Sequence, residues 1–237
     1  MRPTVMLVHG AFADASSWDP VIDHLLDAGH PVVAVANPLR GVAADAAGVS
    51  DHIRSIDGPV LLAGHSYGGA VITNVDPDAG DIVGLVYVAA FAPEPGDSCF
   101  ELSAVFPGST LGDALQPISR SDGTTDLTIV QERFHEQFCA DIPAPQAARM
   151  AATQRPVTQE ALVEPSGDRP LWKLLPSWFV FGEEDRNIPK AVEHYMAERA
   201  QAHRTIEIPG ASHAVPVAHP GTTAGLILEA AALHAAA

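Results

Sequence analysis

One short segment of this chain carries a serine in a setting that favours nucleophilic attack. Residues Gly64–Gly68 read GHSYG, a G-x-S-x-G sequence that follows the apolar run Val60–Ala63 and precedes a helical pattern. In that setting the motif is typical of a nucleophile elbow, a strand-to-helix turn so sharp that side chains two residues from the serine would clash. The turn exposes the serine hydroxyl at the positive end of a helix. Ser66 is therefore the predicted nucleophile.

A histidine near the end of the chain is the predicted base, which a serine hydroxyl needs near neutral pH. His213 closes the segment Pro209–His213, directly after the apolar run Arg204–Ile208. In folds with such an elbow, an acid and then a histidine follow the serine along the chain. The other histidines lie on predicted helices, after the first strand or outside strand-end loops, and His65 flanks the nucleophile but points away from it. His213 is therefore preferred over the other ten of the eleven histidines.

Three consecutive carboxylates provide candidates for the group that orients this base. Glu183, Glu184 and Asp185 follow the apolar run Ser177–Phe181 after one glycine, Gly182. Loops at the carboxyl ends of parallel strands meet at one edge of the sheet, where sites in such folds form. The position in the loop favours Asp185 as the orienting acid. Glu184 stays open as an alternative, and so does a loop of three solvated carboxylates.

The segment after the first apolar run is suited to binding the negative charge of a tetrahedral intermediate. Residues His9–Phe12 follow Thr4–Val8. A main-chain N–H at this place can face the nucleophile and act together with the N–H of the residue after the serine. We therefore expect the amides of Ala11 and Tyr67 to form an oxyanion hole, with Phe12 in contact with substrate.

Short apolar runs alternate with helical patterns over most of the chain. Most of the runs lack polar alternation, which indicates strands buried on both faces of a parallel sheet. Helices are predicted around Val21–Leu26 and Val49–Ile56 and over Lys190–Ala202 and Thr222–Ala236. The predicted fold is α/β, a doubly wound and mostly parallel sheet. The candidate strands are Thr4–Val8, Pro31–Ala36, Pro59–Ala63, Ile82–Ala89, Ser177–Phe181 and Arg204–Ile208.

The alternation stops between residues 92 and 176, which predicts a small helical cap inserted after the fourth strand. The core is then formed by residues 1–91 and 177–237. In the cap, Leu127, Val130, Phe134 and Phe138 fall on one face of a predicted helix. A second short helix is predicted from Pro143–Pro145 onward. Substrate contacts are expected from Phe134 and Phe138, and from Trp172 near the return to the core; the alternative is that these side chains only hold the cap together.

The composition of the chain indicates which classes of molecule it is expected to bind. The 237 residues carry a formal net charge of −16, which disfavours nucleic acids and anionic membranes. The two cysteines and the histidines and carboxylates show no metal-ligand spacing, so neither a metal nor another cofactor is expected. The first apolar run is too short for a signal peptide and no run is long enough to span a bilayer. We therefore expect a cytoplasmic enzyme with a small-molecule substrate; a homo-oligomer stays open.

Taken together, these segments resemble the α/β-hydrolase superfamily. More narrowly, the chain is similar to small bacterial carboxylesterases related to plant methyl-ester esterases and hydroxynitrile lyases. Two positions depart from the lyases, which have threonine and lysine where this chain has Gly10 and Ala214. The resemblance thus implies ester hydrolysis rather than cyanohydrin cleavage. The residues that carry it are His9–Ala11 with Trp18, Gly64–Gly69, Tyr87–Pro93, Phe181–Asp185 and Pro209–His213.

The function expected from this set is hydrolysis of small to medium carboxylic esters through an acyl-enzyme. A second reading keeps the same three side chains for other chemistry: hydroxynitrile cleavage, C–C bond hydrolysis or cofactor-free oxygenation. A third is a non-catalytic ligand-binding protein of the same fold. Degenerate binding proteins usually lose one of the three side chains, whereas all three are present here.

Overall fold

A six-stranded parallel sheet forms the centre of the molecule in the computed structural model, which describes residues 1–235. The spatial order of the strands is β2-β1-β3-β4-β8-β9, and every neighbouring pair runs parallel. The order reverses direction at β1, as in doubly wound folds. The strands are β1 (Thr4–Val8), β2 (Val32–Val35), β3 (Pro59–Ser66), β4 (Asp81–Ala90), β8 (Ser177–Gly182) and β9 (Arg204–Ile208).

Helices cover both faces of this sheet, as the unbroken apolar runs predicted. Consecutive side chains of a strand point to opposite faces, so Met6 and Val8 of β1 join one apolar cluster while Val5 and Leu7 join another. The first cluster lies under α2 (Val42–Arg54), α3 (Tyr67–Thr73) and α9 (Lys190–Arg199), and the second lies under α1 (Asp19–Asp27) and α11 (Pro220–Ala235). A short helix, α10 (Val215–Ala218), precedes α11. The end predicted for the last helix, Ala236, lies outside the described residues.

The chain between β4 and β8 forms the segment predicted as a cap, and it is not wholly helical. A three-stranded antiparallel sheet, in the order β5-β6-β7, lies among its helices. The elements are α4 (Cys99–Ser103), α5 (Leu111–Ala114), β5 (Leu115–Ser119), β6 (Thr125–Ile129), α6 (Gln131–Phe138), α7 (Ala144–Thr153), β7 (Val157–Thr158) and α8 (Gln159–Val163), followed by a 3-10 turn at Leu171–Lys173.

The predicted cap helix that begins near Leu127 was wrong at its first turns. Leu127 lies on β6, paired with Pro117, and α6 begins at Gln131. Leu127 and Ile129 are both buried on β6, because alternate side chains of a strand share a face. The spacing of Leu127 and Val130 from Phe134 also fits a helical stripe, so the apolar pattern alone did not separate the two structures.

Two absences hold for the described part of the chain. None of the helices within residues 1–235 combines the length and apolar character needed to cross a membrane. The same residues contain no group of three or more His, Cys, Asp or Glu side chains placed to hold a metal ion.

Candidate active site

Ser66 lies at the last position of β3, directly before α3, in a strained conformation. Its φ is 55° and its ψ is −123°, a region that costs a non-glycine residue free energy and persists where the surroundings enforce it. Here the surroundings are close-packed main chain. A Cβ on Gly64 would lie 2.5 Å from the Gly68 carbonyl oxygen, and one on Gly68 would lie 2.3 Å from that of Val8. The two glycines of the motif are therefore required by close approach.

Asp185 and His213 form a buried pair on the loops after β8 and β9. The Nδ1–H of His213 donates to Oδ2 of Asp185 across 2.6 Å. The other carboxylate oxygen, Oδ1, accepts the main-chain N–H groups of Asn187 at 2.7 Å and Ile188 at 2.9 Å. Because a carboxylate accepts at Nδ1, the remaining ring nitrogen, Nε2, is the atom that can take a proton from a substrate or nucleophile.

The neighbouring carboxylates of this loop point elsewhere. Glu184 is exposed, and Glu183 accepts from the Lys190 ammonium at 3.1 Å and the Gly210 N–H at 3.1 Å. Lys190 is the main reason why the pKa of Glu183 is lowered. The structure therefore brings Asp185, rather than Glu184, to His213.

His65 connects the nucleophile turn with the loop that carries His213. Its Nε2–H donates to the His213 carbonyl across 3.0 Å, and the two rings lie 4.8 Å apart. Burial lowers the pKa of His65 well below its usual range, and the proximity of His213 lowers it further. A neutral ring that donates from Nε2 keeps Nδ1 as an acceptor, and Nδ1 has no partner within residues 1–235. The sequence placed His65 beside the nucleophile, but nothing in it indicated this contact.

The loop after β1 lies against Ser66, where an oxyanion hole was predicted. A Cβ on Gly10 would lie 2.6 Å from Cβ of Ser66. His9 fixes this loop, because its Nε2 accepts the main-chain N–H of Asn37 at 3.0 Å and its carbonyl accepts from the Asn37 amide at 3.0 Å. Burial lowers the pKa of His9, which favours this neutral acceptor form.

The two predicted oxyanion amides belong to residues that border the same cavity as Ser66. Ala11 and Tyr67 both line it. Tyr67 is the first residue of α3, so its N–H has no acceptor within the helix. The phenol of Tyr67 points away to Asp45, whose Oδ2 it reaches at 2.9 Å. The role of the two amides stays a prediction that this placement supports.

The cavity beside Ser66 is small and has no charged side chain in its lining within the described residues. Its volume is about 90 Å³. Phe12, which was predicted to contact substrate, is among the residues that line it. The other lining residues come from distant segments that no local pattern joined to the site. Among them are Phe91, Cys99, Leu111, Leu115, Leu162 and Ile188.

Three predicted substrate contacts lie outside this lining. Phe134 and Phe138 are buried and stack on each other with ring centroids 5.0 Å apart. Phe138 packs edge-on against the ring of His213 at 5.0 Å, so it supports the predicted base. The indole N–H of Trp172 donates to the Pro93 carbonyl at 2.9 Å. These aromatic residues pack where the cap meets the core, because burying their large rings is more favourable than exposing them to a pocket.

Two hydrolases are similar to this chain in sequence. The carbendazim hydrolyzing esterase of Nocardioides sp. is 39% identical over 110 residues, which cover 41% of this chain and 46% of that protein. The match thus spans about half the length of that relative. The pyrethroid hydrolase of Sphingobium wenxiniae is 27% identical over 233 residues, which cover 89% of this chain and 81% of that protein.

A comparison with solved structures and a family sequence pattern identify the fold and the family of this chain. The crystal structure of polyneuridine aldehyde esterase superposes with a TM-score of 0.80 and 19% identity, covering 97% of this chain and 99% of that one. At that identity the likeness establishes the fold. The sequence pattern of the alpha/beta hydrolase family matches residues 5–226. The resemblance noted from the motifs is therefore confirmed, and the chain belongs to the alpha/beta hydrolase family.

Proposed function

We propose that this protein hydrolyses carboxylic esters through an acyl-enzyme on Ser66. The observation that carries the proposal is the buried hydrogen bond of 2.6 Å between His213 and Asp185. His65 attaches the loop of His213 to the turn of the strained Ser66. A base oriented by a buried carboxylate, together with a serine that lines a cavity, is the arrangement that acyl transfer requires.

In the proposed reaction, Nε2 of His213 accepts the proton of the Ser66 hydroxyl as Oγ attacks the ester carbonyl. The amides of Ala11 and Tyr67 bind the oxyanion that forms. The alcohol leaves with the proton from His213, and the acyl group stays on Ser66. A water molecule then gives a proton to His213 and attacks the acyl carbonyl, and Ser66 recovers its proton as the acid departs.

The cavity and the relatives support an uncharged ester as the substrate. No charged side chain of the described residues lines the cavity, and burying an unpaired charged group there would cost several kcal/mol. The sequence relatives are named for the hydrolysis of carbendazim and of pyrethroids. Those names support hydrolysis as the class of reaction, while their compounds belong to those proteins.

Steric contacts around Gly10 disfavour the alternative hypothesis of hydroxynitrile lyase activity. The lyases have threonine at the position of Gly10, where any Cβ would lie 2.6 Å from Cβ of Ser66 and 2.7 Å from the His65 carbonyl oxygen. Ala214 next to the base carries no cation. The backbone of this protein therefore favours ester hydrolysis, and no observation favours C–C bond hydrolysis, oxygenation or ligand binding without turnover.

Partners and compartment form a second part of the proposal. We infer a cytoplasmic protein that acts on a small molecule and binds neither nucleic acid nor membranes. Its net charge of −16 supports this inference, as do its two cysteines, which are free and buried. Cell fractionation tests the compartment, and light scattering measures the oligomeric state. Recovery in a secreted or membrane fraction would contradict the inference.

An ester assay with matched serine variants tests the reaction. Nitrophenyl esters of increasing acyl length are assayed with the native protein and with Ser66→Ala. Loss of the nucleophile is expected to lower turnover by about 10⁶-fold, as in comparable triads. A fluorophosphonate is expected to label the native protein and Ser103→Ala, in which another serine of the cavity lining is removed, but not Ser66→Ala. Activity in Ser66→Ala above a few per cent of the native rate would overturn the proposal.

A further inference from the structure

Phe12 lies between two cavities of different size. On one side is the small cavity beside Ser66, of about 90 Å³. On the other side is a groove of about 330 Å³ between the loop after β1, the start of α1 and the helix α7. Phe12 is the one described residue that lines both. We call the second cavity the outer groove; Asp14, Asp19, Arg149, Met150 and Val217 are among the residues that line it.

Both the main chain and the side chain of Phe12 are held in place. Its φ is 61°, a left-handed conformation that residues other than glycine rarely adopt. Its N–H donates to the Arg155 carbonyl across 3.1 Å, which ties the loop after β1 to the chain that follows α7. The side chain is buried, with 4% exposure. Strain of this kind persists only where surrounding contacts enforce it, so the ring is a fixed part of the wall.

The two cavities also differ in chemistry. The small cavity has no charged side chain in its lining, whereas the outer groove presents Asp14, Asp19 and Arg149 beside the apolar Met150 and Val217. A cavity of roughly 150 Å³ accommodates benzene. The small cavity therefore has room for a group smaller than a phenyl ring. A longer group fits only if part of it extends beyond this cavity.

We propose that Phe12 is a specificity-determining residue whose ring closes the small cavity toward the outer groove. The side of the ester bound in the small cavity is then limited to a short, uncharged group of a few carbon atoms. The inference rests on the proposed function, since it takes Ser66 as the reacting group. Removing the ring joins the two cavities and lets one long chain run from Ser66 into the outer groove.

Chain-length profiles of Phe12 variants test this inference. We compare kcat/KM for nitrophenyl esters from acetate to dodecanoate in the native protein, Phe12→Ala and Phe12→Leu. Phe12→Ala is expected to raise the ratio of decanoate to acetate at least about tenfold, because even one added methylene that packs against apolar side chains, such as Met150 of the outer groove, contributes about tenfold or more to discrimination. Phe12→Leu, which keeps more of the packing, is expected to change the ratio in the same direction by less.

Leu162→Ala provides a matched control, because Leu162 lines the small cavity and not the outer groove. This variant is expected to raise kcat/KM for esters a few carbon atoms longer than the native protein prefers. From hexanoate to dodecanoate its kcat/KM should not rise further. In the Phe12→Ala background, Met150→Trp fills the outer groove and should remove the gain for long chains. A gain in Phe12→Ala that stops at the same chain length as in Leu162→Ala would overturn the inference, as would an unchanged profile.

Labelling separates a failure of this inference from a failure of the proposed function. Alkyl fluorophosphonates with ethyl and dodecyl chains are reacted with each variant, and the modified residue is identified by mass spectrometry. A faster reaction of the dodecyl probe with Ser66 in Phe12→Ala, relative to the ethyl probe, supports the inference. If Ser66 reacts and the ratio of dodecyl to ethyl labelling is the same in Phe12→Ala and the native protein, the ring of Phe12 does not separate the two cavities. If Ser66 reacts with neither probe in the native protein, the proposed function itself is wrong, and this inference falls with it.

Discussion

The imidazole of His65 donates a hydrogen bond to the main-chain carbonyl of His213 across 3.0 Å. The residue before the predicted nucleophile therefore holds the loop that carries the predicted base. The contact is buried and the two rings lie 4.8 Å apart. Strand β3 and the loops after β8 and β9 are thus joined at one edge of the sheet by two hydrogen bonds. One runs from the His65 ring to the His213 carbonyl, and the other runs from the His213 ring to Asp185.

Loss of the His65 contact is expected to lower kcat more than it changes KM. His65→Leu removes this donor and leaves the His213 carbonyl with one remaining donor, the main-chain N–H of Val215 at 2.9 Å. Loss of one such hydrogen bond costs about 0.5–1.5 kcal/mol. We expect a loss in kcat of roughly tenfold, which corresponds to about 1.4 kcal/mol, because the base is held less firmly. His65→Gln, whose amide can donate to the same carbonyl, should recover part of the rate.

His135→Leu is the control for this prediction. His135 makes the same kind of bond, from Nε2 to the Ile142 carbonyl at 2.7 Å, within the inserted segment. Its loss should affect the free energy of unfolding and leave kcat near the native value. Equal kcat values for His65→Leu and the native protein, with the fold intact, would show that His65 does not position the base.

Asp185 is expected to orient the base, and the adjacent Glu184 is not. Asp185→Asn should reduce kcat by about 10⁴-fold, because an amide no longer stabilises the imidazolium or its reacting tautomer. Glu184→Gln changes an exposed side chain of the same loop and should leave kcat within about twofold, since most exposed substitutions are nearly neutral. A large loss in Glu184→Gln alone would reverse the assignment. Steady-state kinetics of both variants decide between the two carboxylates.

Glu193 gives the protein a stability cost that depends on pH. This side chain of α9 is fully buried, and neither carboxyl oxygen has a hydrogen-bond partner within residues 1–235. Burial raises the pKa of Glu193 well above its usual 4.5, and the charge of Asp185 raises it further. Above pH 4.5 the unfolded chain releases a proton that the folded protein keeps. The contribution of Glu193 to the free energy of unfolding should therefore fall by up to about 1.4 kcal/mol per pH unit until the pKa of the folded state is reached.

Glu193→Gln removes this proton linkage while keeping the shape of a protonated carboxyl group. Its free energy of unfolding should approach that of the native protein below pH 4.5 and exceed it increasingly as the pH rises above that value. Urea unfolding at pH 4.5, 5.5 and 6.5 measures the difference. Glu198→Gln, on the exposed face of the same helix, should show no such trend. Parallel pH curves for Glu193→Gln and the native protein would contradict the prediction.

The parts of the fold and site that sequence patterns predicted are local. The strand-end motifs around Ser66 and His213 join a residue type to a buried apolar run, so each could be assigned within a few residues. The strand β5 could not, since it is exposed over most of its length and lacks an apolar run. The residues that line the cavity could not be predicted from the sequence either, because Phe91 and Leu162 come together only in the folded chain.

The aromatic side chains of the inserted segment show why its function was harder to assign. Phe134 and Phe138 have the pattern of an amphipathic helix, which predicts a buried face without saying what lies against it. In the structure that face packs around His213 and not along the cavity beside Ser66. Glu193 gave no signal at all, since an acidic residue on a helix is usually exposed.

Trapping the acyl-enzyme is the most direct test of the central claim that Ser66 carries the acyl group. The native protein is mixed with nitrophenyl butyrate, quenched in acid within the first turnover and analysed by intact-mass and peptide mass spectrometry. We expect one butyryl group per chain, located on the peptide that contains Ser66, and none in Ser66→Ala. Nitrophenol should appear in a burst of matching amplitude wherever deacylation limits the rate. A butyryl group on another residue, or turnover by Ser66→Ala at the native rate, would contradict the claim.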